Sequence, residues 1–437
     1  ISYEQFAGTH RMKLSAKSWH MIGPWGIDTL DFSVSDARRI YRWDDKLSSD
    51  KLLSRYSTER TMETTRGYWF WTERDTVLKS RKESFNRLVT GPSVPRVTLV
   101  KGASGWNQIC SPLPFPVAPS WLKNNPAYEW DPATRGYRET RVLHPWRAAW
   151  VHTDRDTTLP LPRHAYDGNT GALAKQARNT GWELRVVLSS TESRDADNFC
   201  GVVAPGLSKS SAPRALEPPR AFDYPQLYFV GNGDPEAAAS DPNQRLSRSY
   251  QRAREVPRSR LEWMIGISAS REDGTIALEG IRQVPDEVFL FWATRSGVVN
   301  VRETDSIKVD AGESTSYGYL VATANPADIA LYANRFAFKG NYPNPFGRAT
   351  TLEFVVPYAW TKSGMKMKAE TRNVALRVYD MRGRLVKTLV KGKVNVGMHR
   401  MIWDGADEHG SALPAGFYAA HLRAKGYAKA VGMIKIR

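Results

Sequence analysis

The run "NYPNPFGRATTLEF", residues 341–354, places two prolines and two asparagines ahead of an alternating apolar pattern. Pro343 and Pro345 lock φ and remove two amide donors, while Asn341 and Asn344 favour turns. The expectation is a stiff strap that separates a last module from the chain before it and presents Phe346 to that module. Past the strap, Leu352, Phe354 and Val356 occupy every second position, and "NVALRVYD" repeats the pattern through Val374, Leu376 and Val378. A period of two marks a half-buried strand, because successive side chains leave it on opposite faces.

"RGRLVKTLV" reads as a hairpin bend and a strand, and "GMHRMIWDG", "AGFYAAHLRAKG" and "AKAVGMIKIR" as further strands. They make a set of about seven, the size of an immunoglobulin-like sandwich. Gly383, Gly405, Gly410 and Gly416 fall where turns need positive φ, and Trp403 and Tyr418 are expected in the core.

Upstream, "WELRVVLSS", "LEWMIGISAS", "TIALEGI", "EVFLFWAT", "GVVNV" and "STSYGYLVATA" predict about six to eight strands of a central β-sandwich. "APGLSKSSAPRALEPPRAFDYPQ" is expected as an extended surface crossing, and the polar run from Val230 to Arg260 as a long mobile loop. In "SRDADNFCG", Asp195, Asp197 and Asn198 offer alternating oxygens of the kind calcium takes. No later acid completes a loop, so an Asx-rich turn is expected.

Ten of the 15 tryptophans precede residue 151, and they recur. Trp19, Ile22, Tyr41, Trp43 and Asp44 return 87 residues later as Trp106, Ile109, Tyr128, Trp130 and Asp131. After a six-residue deletion the offset is 81, matching Tyr56, Arg66, Trp69, Thr72, Arg74 and Asp75 to Tyr137, Arg147, Trp150, Thr153, Arg155 and Asp156. One register shift reconciles both sets, which identifies tandem copies of one β module. Tryptophans kept in both copies are assigned to the core. Trp25, Trp71, Trp121 and Trp146 lack an aromatic counterpart; ordinary core or loop packing is the first reading for each, and a platform for sugar rings or a neighbouring subunit the second.

The 437 residues carry a formal charge of +17, which reads first as a surface with excess arginine, since basic residues are spread along the chain, and second as an anionic contact such as an acidic partner, polysaccharide or lipopolysaccharide. The basic stretch 361–401 lacks interleaved aromatics, which disfavours nucleic acid. No apolar run reaches the roughly 18 residues of a membrane helix. The chain opens at Ile1 without a signal-peptide pattern, as expected of a trimmed chain. Cys110 and Cys200 form either one disulfide or two buried thiols. The eight histidines show no metal spacing, and no nucleophile elbow or phosphate loop occurs, so neither an enzyme nor a cofactor is expected.

"NYPNPF", "LRVYDMRGRLVKTL", "HRMIWDGADEHGSALPAGFYAAHL" and "MIKIR" together resemble the C-terminal sorting domain of type IX secretion substrates. That domain is related to the immunoglobulin-like module of the flagellar hook-capping protein. The resemblance covers residues 336–437. It rests on Asn341, Pro343, Pro345 and Phe346, on Tyr379, Asp380 and Gly383, on Trp403, Asp404, Gly405, Asp407 and Gly410, and on Gly416 and Tyr418. The chain departs from the family at Gly347-Arg348, where Asn-Pro is common, and in the long basic loop "YAWTKSGMKMKAETRN". The tryptophan-rich copies resemble segments beside this domain in large secreted proteins. The resemblance implies export through the periplasm to the outer cell surface, with the secretion machinery as partner.

The expectation is therefore an all-β, multidomain chain: tandem modules at 1–90 and 91–165, a central sandwich at 166–335 and an immunoglobulin-like module at 336–437. Its expected role is a structural subunit of an extracellular assembly. The alternatives are a carbohydrate-binding accessory protein or, behind it, a polysaccharide hydrolase.

Overall fold

The computed structural model describes residues 11–24, 30–31, 40–43, 56–58, 61–79, 94–123, 125–166, 168, 180–204, 215–221, 224–231, 238, 244–252, 260–312, 314–333, 335–362, 364 and 371–436. The protein is nearly all β and divides into two compact units. The first holds residues up to Ala253 together with Ile265–Val284 and Asp305–Thr315. The second holds Arg254–Met264, Pro285–Thr304 and Ser316–Arg437.

In the first unit, the opening strands are β1 (Arg11–Leu14), β2 (Ser18–Ile22), β3 (Leu30–Asp31), β4 (Ile40–Trp43), β5 (Tyr56–Thr58), β6 (Thr61–Met62), β7 (Tyr68–Thr72) and β8 (Thr76–Lys79). The second copy follows with β9 (Arg96–Leu99), β10 (Trp106–Cys110), β11 (Ala127–Asp131), β12 (Gly136–Thr140), β13 (Ala148–His152) and β14 (Thr157–Pro160). Each copy builds a four-stranded sheet of the same order, β2-β7-β4-β5 and β10-β13-β11-β12, beside a two-stranded ribbon, β1-β8 and β9-β14.

The copies are joined by contacts that map onto one another when the copies are exchanged. Ile22 bridges Arg147, and its equivalent Ile109 bridges Arg66. Gly23 N–H donates to the Trp146 carbonyl, and Cys110 N–H to the Thr65 carbonyl, both at 3.1 Å. Trp146 and Thr65 are themselves equivalent, and both hold a positive φ, 64° and 67°. Trp43 meets Trp150 edge-on, and Trp130 meets Trp69, each at 5.2 Å between ring centroids. These rings, with Trp106 and Tyr128, form a shared aromatic core. Its edge-to-face geometry sets the positive ring edge against the negative face.

The first unit continues with β15 (Thr180–Ser190), β16 (Arg194–Val203), β17 (Leu227–Val230), β18 (Arg245–Leu246) and β19 (Arg248–Arg252). Next come β20 (Leu261–Ile267), whose last three residues belong here, and β21 (Gly274–Glu279). The second unit then holds β22 (Phe289–Thr294) and β23 (Gly297–Asn300), the first unit takes β24 (Ile307–Val309), and β25 (Ser316–Thr323) returns to the second. A five-stranded sheet, β19-β16-β15-β21-β24, lies within the first unit.

Three sequence expectations are corrected. "SRDADNFCG" is no Asx-rich turn but the body of β16, since its alternate residues pair with β15. The polar run after Val230 contains β18 and β19, and β19 pairs in parallel with β16. A polar strand is stable there because the neighbouring strand supplies its hydrogen bonds. The proline-rich crossing is no surface segment at 215–221: Ala215 and Ala221 lie in the aromatic core and Glu217 is buried.

In the second unit, α1 (Ile329–Tyr332) leads to β26 (Ala337–Tyr342), β27 (Thr350–Val356), β28 (Thr371–Asp380), β29 (Leu385–Asn395), β30 (Gly397–Trp403), β31 (Gly416–Ala424) and β32 (Tyr427–Lys435). The last seven form a three-stranded sheet, β26-β27-β30, and a four-stranded sheet, β29-β28-β31-β32. Phe338, Leu352, Phe354, Val374, Leu376, Val378, Trp403 and Leu422 from both sheets fill one core.

Candidate functional site

Residues 341–349 are not a strap between modules. Because β26 pairs antiparallel with β27, residues 343–349 are the loop of a hairpin inside the module. The expected presentation of Phe346 does occur. Phe346 is 1% exposed and packs on Trp403 at 5.4 Å, and Trp403 packs on Tyr418 at 5.2 Å. The loop also reaches β32 as a surrogate strand. Asn344 Nδ2 donates to the Gly432 carbonyl (3.1 Å), Asn344 Oδ1 accepts from Ile434 N–H (2.9 Å), and Phe346 N–H donates to the Ile434 carbonyl (2.9 Å). Part of the edge of β32 is thereby covered. Asn341 Nδ2 and the Pro343 carbonyl both meet Thr350 Oγ1, which ties the base of the loop.

The two Asp-x-x-Gly motifs have one geometry. Asp380 Oδ1 accepts from the amides of Arg382 and Arg384, both at 2.9 Å, and Gly383 N–H donates to the Asp380 carbonyl. Asp407 Oδ1 accepts from His409 and Ser411 amides, again at 2.9 Å, and Gly410 N–H donates to the Asp407 carbonyl. Gly383 and Gly410 sit at φ 77° and 82°, the left-handed region that glycine enters without strain. The bonds from Arg384 and Arg382 hold the half-buried Asp380 carboxyl below the usual range. Trp403 Nε1–H donates to the Ala406 carbonyl, Asp404 Oδ1 accepts from Ala406 N–H, and Tyr418 O–H donates to the Pro414 carbonyl. Each of these residues makes a structural contact, and Tyr379 meets His421 edge-on.

Asp195, Asp197 and Asn198 do come together, as acceptors and donors within the protein. Asp195 Oδ1 accepts from Asn198 Nδ2 (2.8 Å) and Oδ2 from Leu227 N–H (2.7 Å). Asp197 Oδ2 accepts from Glu139 N–H at 2.6 Å. Sequence reading missed Glu217 and Gln226, whose side chains meet at 2.7 Å in the same buried region. Burial pushes Asp195 up to about 7 against the lowering effect of its two hydrogen bonds, and raises Asp197 and, by a wide margin, Glu217. Arg248 joins Glu139 at 2.7 Å beside them. Among the described residues no group of His, Cys, Asp and Glu is arranged to hold a metal ion. Cys110 and Cys200 are both buried free thiols, pushed up by desolvation, and form no disulfide.

Of the four candidate tryptophans, Trp25 lies outside the described residues. Trp146 is 3% exposed in a core with Ile22, Ile40 and Phe70, so it is no surface platform. Trp71 is half-buried against Trp19 at 5.2 Å, and its Nε1–H donates to Glu73. Trp121 is half-buried, with Nε1–H donating to the Pro160 carbonyl at 2.9 Å.

Residues 359–426 match the family model of the FlgD Ig-like domain. No curated protein matches the chain. Two solved structures from Porphyromonas gingivalis show limited similarity. PorZ, described as an essential bacterial surface component of the type-IX secretion system, is 14% identical over 27% of this chain, with TM-score 0.16. Dimeric latent PorU is 11% identical over 79% of this chain, with TM-score 0.19. The chain spans 14% and 32% of the lengths of those two proteins. Scores of that size do not define a shared fold.

Proposed function

We propose that the protein is a secreted or surface-displayed structural component, a subunit of an extracellular assembly. Its C-terminal module would serve as export and docking piece by a type IX-like route, and the chain would have no catalytic role. One observation carries this reading. Residues 359–426 match the FlgD Ig-like family, Phe346, Trp403 and Tyr418 share one core, and Asp380 and Asp407 close two turns of the same module, which supports the reading. Charge supports it as well. Residues 336–437 hold eighteen Lys and Arg against six Asp and Glu, which favours docking on an acidic surface.

The test is location. In a host carrying type IX machinery, the full chain should become accessible to external protease, and in a strain lacking that machinery it should accumulate in the periplasm. Equal surface exposure in both strains would remove the export role. Purified protein should form larger species in mass photometry as concentration rises, and a strict monomer without a partner in surface extracts would remove the assembly role.

A further inference from the structure

The two copies of the tryptophan-rich module diverge at one wall. In the first copy Trp71 packs on Trp19 at 5.2 Å and its indole N–H donates to Glu73 at 2.8 Å. The equivalent residues in the second copy are His152, Trp106 and Asp154. The smaller imidazole keeps the ring contact, at 5.4 Å from Trp106, while the shorter Asp154 is exposed and released. A cleft of about 470 Å³ opens there, lined by Trp121, Asn125, His152, Asp154, Arg155 and Thr157. A second hollow of about 330 Å³ adjoins it, since Asn125 and His152 line both. These volumes fall at the scale of small-molecule sites.

We propose that this cleft binds a carbohydrate residue of a glycan, a property that goes beyond the structural role above. Trp121 is the platform. Its Nε1–H is spent on the Pro160 carbonyl, which fixes the ring orientation before any ligand arrives. Asn125 is fixed likewise, its Nδ2 donating to the His152 carbonyl. Asp154 and Arg155 stand side by side at the rim, both exposed, and neither side chain is hydrogen-bonded or ion-paired among the described residues. An acceptor carboxylate next to a donor guanidinium suits a vicinal pair of hydroxyls, each of which both donates and accepts. A flat indole beside such a pair matches a pyranose, which has an apolar C–H face and a polar rim.

The full chain should retain at least one glycan on an array of neutral and uronic acid-containing glycans. Saturation-transfer NMR with the terminal monosaccharide of that glycan should show ring-proton contact. Asp154→Asn and Arg155→Ala should each weaken binding about 10-fold or more without changing the melting temperature, and Trp121→Ala should abolish it. Trp71→Ala, in the first copy, should leave affinity unchanged. If Trp121→Ala fails to fold, the two exposed rim variants decide the matter. Absence of retention on every glycan, or binding that survives both rim substitutions, overturns the proposal.

Discussion

Asp380 and Asp407 show how far a single residue's role can be read. Each carboxylate gathers amides two and four positions on, and a glycine three positions on closes the turn. An alanine at Gly383 or Gly410 would force a side chain into the left-handed region at a cost of about 1 kcal/mol. Gly410→Ala and Gly383→Ala should therefore each lower the melting temperature by a few degrees, read by circular dichroism, and the double variant should be additive. Asp195 carries a pH prediction. Its folded pKa, about 7, lies above its ordinary value, so the fold favours the protonated acid. The associated stability is complete below pH 4 or so and is lost as pH rises through about 7. Glu217 is shifted in the same sense. Melting should thus be several degrees higher at pH 5.5 than at pH 8.5, and Asp195→Asn should flatten the dependence. The turn residues were legible because their partners lie within four positions. The acid cluster was not, because Leu227 meets Asp195 from a strand of another sheet, 32 residues on, and Glu217 comes near it from a segment between them.

At the scale of elements, the exchange relation between copies explains two glycines. Gly23 is equivalent to Cys110, and a Cβ at Gly23 would stand 2.2 Å from the Cys110 Cβ. Gly67 is equivalent to Ala148, and its Cβ would stand 2.6 Å from that of Ala148. Each is a point where a position meets its own counterpart, so only one of the two copies can carry a side chain. Gly23→Ala should cost about 1–3 kcal/mol by overpacking, measured by urea denaturation. Adding Cys110→Gly should restore much of it, and a double variant no better than Gly23→Ala would refute the self-contact. The offsets of 87 and 81 residues identified the equivalent positions from sequence. That Trp43 would pack on Trp150, in the other copy, was hidden, because a repeat specifies what is equivalent and not what touches. The same limit applies to Trp146, whose lack of an aromatic counterpart suggested exposure although its backbone serves the copy interface and its ring fills a core.

At the scale of the whole molecule, the aromatic core is held in common by the two copies, so neither copy supplies its own. A chain beginning at Val94 would leave Trp130 and Trp150 without Trp69 and Trp43. It should lose the near-ultraviolet dichroism of packed tryptophan while keeping strand content, and a native near-ultraviolet spectrum would show the second copy to be autonomous. The proposed export and assembly roles belong to this scale too, because they would depend on the C-terminal module being present in an intact chain.

Taken alone, the order of residues determined the β character of the chain, the existence and register of the duplication, and the turn chemistry of the last seven strands. These rest on local rules: alternation of side chains along a strand, and hydrogen bonds closed within a few residues. Tertiary structure alone decided that residues 343–349 form a hairpin loop rather than a strap, that a polar segment becomes β19 beside β16, and that His152 and Asp154 line a cleft with Trp121 and Asn125. Each of those outcomes depends on hydrogen-bonding or packing partners distant in sequence, and proximity in space is not encoded in any one stretch.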